Sequence, residues 1–123
     1  MKKKIFIILI AFFTFNISVK AGSSLSTSTS NVYNGNSFNV TASIDGAATW
    51  DVHVTASGPV SGCTISNAGY TSDLSETSKS FTASCQATGT GNININLSGT
   101  ITNGNGDTSK ISGSKTVTVT NAP

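Results

Sequence analysis

Between Ser80 and Ile101 the chain keeps a two-residue alternation on both sides of a short glycine-rich connection, a pattern that suits paired strands and no helix. Phe81, Ala83, Cys85 and Ala87 share one parity, with Thr82, Ser84 and Gln86 on the other. After Thr88-Gly89-Thr90-Gly91 the rule resumes, with Ile93, Ile95, Leu97 and Ile101 set against Asn92, Asn94, Asn96 and Ser98. Successive side chains of a strand point to opposite faces, so each segment has one apolar and one polar face. Cys85 lies on the apolar face, and the only possible partner for it is Cys63. The rest of the chain is expected to pack further strands on this pair.

The N-terminus is of a different kind. Lys2, Lys3 and Lys4 precede an apolar run, Ile5 to Phe15, that is short for a bilayer span, and Val19-Lys20-Ala21 follows as a small-residue cleavage site. Residues 1–21 are therefore expected to be a signal peptide, and the protein to be secreted or held at the cell surface with no stable membrane insertion after cleavage. No Cys follows the cut, which argues against a lipid anchor. With no membrane segment or sorting signal before Pro123, the expectation is that the chain is either released or the first piece of a longer protein.

Removing the leader reverses the charge. The formal balance of +2 includes Lys2, Lys3, Lys4 and Lys20. Residues 22–123 keep Lys79, Lys110 and Lys115 against Asp45, Asp51, Asp73, Glu76 and Asp107, a balance of −2, with no arginine. A nucleic-acid partner needs clustered cations to replace phosphate counterions, and none cluster here. Ser and Thr fill 36 of these 102 positions, so the surface is solvated by hydroxyls and amides rather than charge. Heavy Asn and Lys use without Arg is a bacterial habit of composition. The sparse aromatics (Tyr33, Phe38, Trp50, Tyr70 and Phe81) imply a thin core that a covalent staple would help. Two cysteines in an exported chain are most simply a disulfide, Cys63–Cys85, since two thiols and one His do not make a metal site.

Taken in order, Gly22 to Ser30 reads as a polar lead or a first strand, and residues 31–121 as one sandwich domain. Val32-Tyr33 leads to an Asn34-Gly35 turn, and Ser37 to Ile44 is a strand with Phe38, Val40, Ala42 and Ile44 inward. Asp45-Gly46-Ala47 is expected to turn the chain into Thr49 to Thr55, which buries Trp50, Val52 and Val54 and turns Asp51 and His53 outward. Ser57-Gly58-Pro59 ends that strand. Cys63-Thr64-Ile65 is expected as a short strand, then Asn67 to Ser78 as a polar loop anchored by Tyr70 and Leu74. Asn103 to Asp107 turns the chain, and Lys110 to Thr120 is the last strand, with Val117 and Val119 inward. About seven short strands of this kind make an all-β antiparallel sandwich.

Val32-Tyr33-Asn34-Gly35-Asn36-Ser37-Phe38-Asn39-Val40-Thr41 resembles the opening hairpin of bacterial surface immunoglobulin-like and cohesin-like modules, and Trp50-Asp51-Val52 and Ser114 to Val119 fit the same pattern. The resemblance implies an immunoglobulin-like sandwich used for adhesion, ligand display or spacing. It carries no site residues across. Both cysteines follow Trp50, unlike the antibody arrangement, and Tyr70 does not stand two residues before Cys85 as a tyrosine corner would.

No constellation reads as catalytic. Asp51 and His53 share one strand face, the ordinary outcome on a solvated sheet, and no nucleophile or further ligand accompanies them. Asn103, Asn105 and Asp107 imitate the start of a calcium loop, but Thr108 and Ser114 occupy the positions that need Gly and Glu. Gly58 to Gly62 lacks nucleophile-elbow spacing. Asn39-Val40-Thr41 and Asn96-Leu97-Ser98 match glycosylation acceptors by chance in a bacterial chain, and no acid is placed for an isopeptide bond to a buried Lys. The expectation is a non-enzymatic module with no cofactor or metal, acting on a protein or glycan ligand. The alternative is a carbohydrate-binding module stacking sugars on Tyr33 or Tyr70.

Overall fold

The computed structural model describes residues 22–123; the expected signal peptide lies outside them. These residues form nine strands: β1 (Gly22–Thr27), β2 (Asn31–Tyr33), β3 (Ser37–Ala47), β4 (Thr49–Ser57), β5 (Val60–Gly62), β6 (Ile65–Tyr70), β7 (Thr77–Ala87), β8 (Gly91–Thr102) and β9 (Thr108–Thr120). They make two sheets, β1-β3-β7-β5 and β2-β9-β8-β4-β6, packed as a sandwich. No helix among the described residues is long and apolar enough to cross a membrane.

The alternation in the sequence is what builds the core. Phe38, Val40, Ala42 and Ile44 of β3 face Val52 and Val54 of β4, Ile93, Ile95, Leu97 and Ile101 of β8, and Val117 and Val119 of β9, all buried. Among the described residues no polar or charged side chain is buried. At about 25 cal/mol per Å² of apolar area, this core supplies most of the driving force for the fold. Phe81 and Ala83 share the inward parity yet stay only partly buried, since little covers β7 along that stretch.

Two segments switch sheets, one on each side of the sandwich. On one side β1 pairs antiparallel with β3, and after Ser28-Thr29-Ser30 the chain enters the other sheet as β2, parallel to β9. On the other side β5 pairs with the end of β7, and Cys63-Thr64 carries the chain across to β6, which pairs with β4.

The second crossover corrects the expected strand at Cys63 to Ile65. Cys63 has φ of +63°, which an extended strand does not allow, and only Ile65 belongs to the strand that follows. Residues 67–70, expected as loop, are strand. Their inward positions are Asn67 and Gly69, which hide the alternation because both serve Trp50. Asn67 Oδ1 accepts the indole N–H at 2.9 Å, and a Cβ on Gly69 would stand 2.6 Å from the Trp50 ring. Nine strands replace seven for this reason and because β5 is only three residues long. Asp45-Gly46-Ala47 does not turn the chain either. Gly46, at φ +70°, makes a bulge within β3, and the reversal falls at Ala48.

Candidate functional site

The outer face of the five-stranded sheet is where the candidate residues gather. β8 presents Asn92, Asn94, Asn96, Ser98, Thr100 and Thr102 there, with Thr118, Thr116, Ser114, Ser112, Lys110 and Thr108 of β9 opposite them in register. The hydroxyl of Thr118 donates to Asn92 Oδ1 and that of Thr116 to Asn94 Oδ1, each at 3.2 Å, while Thr102 and Thr108 bond to each other at 2.9 Å. These cross-strand pairs give a carpet of hydroxyls and amides in which Lys110 is the one charge.

At one corner the carpet changes character. Asp51 and His53 of β4 point outward, as their parity predicts, and His53 Nε2 lies 2.8 Å from Asp51 Oδ1 with both side chains about half exposed. The cross-strand neighbours of His53 are Ser98 and Ser66. Asp51 is flanked by Thr100 and by Ala68, whose small side chain leaves the carboxylate open on that side. Gly99, at φ +136°, lets β8 approach here, as a Cβ would collide with the Asp51 carbonyl oxygen.

Tyr70 completes this corner. It ends β6 opposite Thr49, in one row with Thr102 and Thr108. With Ile65 inward, the two-residue period turns Tyr70 outward, and it is 73% exposed. Leu74 is 60% exposed and holds φ of +60°, a conformation unfavourable for a large side chain. Neither residue anchors the loop to the core, contrary to the expectation from sequence. Hydrogen bonds do that work instead. The Thr71 N–H donates to the Ala48 carbonyl at 2.8 Å and its hydroxyl to the Ser75 carbonyl at 2.7 Å. The Ser75 hydroxyl and N–H both donate to Asp73 Oδ1, which hold that carboxyl below the 3.8 of an unperturbed aspartate. Glu76 Oε2 accepts the Gly104 N–H at 2.9 Å, tying the loop to the β8–β9 turn.

Tyr33, the other aromatic candidate, is 45% exposed on β2 beside a shallow depression of about 490 Å³ lined by Asn36, Ser37 and Thr120. β2 and β6 are the opposite edges of the sheet, four strand spacings apart, or roughly 19 Å. They also lie at opposite ends of β8, so the two tyrosines do not share a platform.

The remaining candidates resolve into structure. Asn103 Oδ1 accepts the N–H groups of Asn105 (2.9 Å) and Asp107 (3.0 Å), so the calcium-like segment is a turn closed on itself. Among the described residues no three His, Cys, Asp or Glu side chains come together as a metal site. Cys63 and Cys85 form a disulfide with Cα atoms 4.6 Å apart, both side chains fully buried. Compared with known protein families and with curated proteins, the chain matches no family and resembles no curated protein.

Proposed function

We propose that this chain is an exported, non-catalytic immunoglobulin-like module that serves outside the cell as a spacer or interaction domain. The observation that carries the reading is a disulfide-clamped sandwich whose outer faces are clad in hydroxyls and amides, with no cluster of three or more His, Cys, Asp or Glu among the described residues. Strand order supports it. β1-β3-β7-β5 against β9-β8-β4 follows the ABED and GFC sheets of immunoglobulin domains. The departure is that the strand beside β7 comes before, not after, the strand beside β4. Expressed with its leader in a bacterial host, the protein is expected outside the cytoplasm, beginning at Gly22 and with no free thiol. Protein kept in the cytoplasm with residues 1–21 attached and two reactive thiols would sink this reading.

A second reading, carbohydrate binding, is favoured by the exposure of Tyr70 in a row of hydroxyls beside the Asp51–His53 pair. A ring face that stacks a pyranose and a carboxylate that accepts two hydroxyls are complementary to a neutral sugar. On a panel of cellulose, chitin, xylan, mannan and β-1,3-glucan, Tyr70→Ala is expected to weaken any binding about three- to tenfold, the worth of one aromatic stack. Tyr33→Ala should leave it unchanged. Wild-type protein that binds nothing on the panel, or binding that survives Tyr70→Ala, counts against this site.

A further inference from the structure

The side of the sandwich opposite β1 is left open along β7. β5 covers only Cys85 to Ala87, and at Cys63 the chain leaves the sheet. The last bond across this edge is from the Cys63 N–H to the Ser84 carbonyl, at 2.9 Å. In a strand the N–H and C=O of one residue point the same way and alternate along the chain. Ser84 faces the edge, so Ser78, Ser80 and Thr82 face it too, while Lys79, Phe81 and Ala83 bond inward to β3. Among the described residues no strand pairs with those three on the open side. Such an edge is a template for another strand.

We propose that β7 pairs antiparallel with β7 of a second copy of this chain, about a two-fold axis at Ser80. The sequence of the edge selects this occupant and register. With Ser80 opposite Ser80 of the second copy, Ser78 meets Thr82, and all three edge-facing residues exchange both backbone bonds. Hydroxyls then meet hydroxyls on the outer face, continuing the ladders in which Ser80 already bonds Ser43 (2.9 Å) and Thr82 bonds Thr41 (3.0 Å). Lys79, the one charge on the strand, falls opposite Phe81. Sliding the register by two residues one way sets Lys79 against Lys79. Sliding it the other way wastes Ser78 against Ser84, whose carbonyl Cys63 already holds. Lys79 does not stand across the edge as a guard: its Nζ lies 5.4 Å from the Trp50 ring centroid, drawn over the core. Pairing covers the remaining exposed surface of the partly buried Phe81 and Ala83 and makes one sheet continuous through both copies.

A ladder this short is a weak interface, so dimers are expected only at high protein concentration, on the order of 0.1 mM and above. Sedimentation equilibrium on the secreted form and on the full chain, with amide hydrogen exchange at low and high concentration, tests this. Exchange at Ser78, Ser80 and Thr82 should slow at least about tenfold as dimers form, with other amides unchanged. Ser80→Pro removes the outward N–H, together with the hydroxyl that bonds Ser43, and should abolish both effects; Ser80→Glu, which sets two carboxylates face to face across the axis, should do the same without touching the backbone. Any of three results overturns the proposal: a monomer at every concentration, a dimer protected at other amides, or edge amides protected independently of concentration, which would place a segment of the same chain there.

Discussion

Replacing Trp50 with alanine is expected to cost about 3–5 kcal/mol of stability, the range for large buried aromatics. Trp50 is 7% exposed and sits between the sheets, where β6 is shaped around it. Gly69 yields space to the ring, Asn67 accepts its N–H, and the Lys79 ammonium lies over it from β7. Truncation therefore empties a cavity and also leaves the Asn67 amide without its partner in a partly buried site. For about 100 residues the loss corresponds to a melting temperature lower by about 10–25 °C. Thermal unfolding by circular dichroism measures it, with Trp50→Phe, which refills most of the space, expected to lose much less. An unchanged melting temperature for Trp50→Ala would contradict the packing of β6 on β4.

This site also explains which parts of the fold were legible in the sequence. β3, β8 and β9 bury one apolar parity and solvate the other, so hydrophobic period alone reveals them, as it does the inward Cys85 of β7. β6 breaks the rule because a neighbouring side chain, not its own, fills its share of the core. An Asn and a Gly at inward positions read as loop until the indole they serve is known. Taken as loop, the same residues offer Tyr70 as an anchor. Once Ile65 is fixed inward, parity alone turns Tyr70 to solvent. The outward Asp51–His53 pair was readable from parity, whereas its proximity to Tyr70 depends on which strand lies beside β4. Asp45-Gly46 was ambiguous for another reason. A glycine at positive φ serves a hairpin turn and a bulge equally, and the choice is made by pairing with β7 at a distance.

Loss of the Cys63–Cys85 bond is expected to lower stability by about 2–5 kcal/mol. The bond joins residues 22 apart, so in the unfolded chain it closes a loop worth about 3 kcal/mol of chain entropy. The fold adds a second contribution. Cys63 is a side-chain-bearing residue in the left-handed region, at a cost of about 1–2 kcal/mol, at the point where the chain leaves one sheet for the other. In the folded protein the disulfide is what fixes that crossover to β7, since β5 contributes a ladder of only three residues. Reduction should therefore free β5 and the crossover first, and with them the closed loop that carries β6, Tyr70 and Leu74, while β3, β8 and β9 stay protected. Native-state hydrogen exchange of the Cys63→Ser, Cys85→Ser double variant would show this as early loss of protection at Val60 to Tyr70. Both sulfurs lie in the core, so thiol reagents should react with the native protein only through prior opening, and slowly. Uniform loss of protection across all nine strands would instead mean that the bond acts on the unfolded chain alone, and that the crossover holds its shape without it.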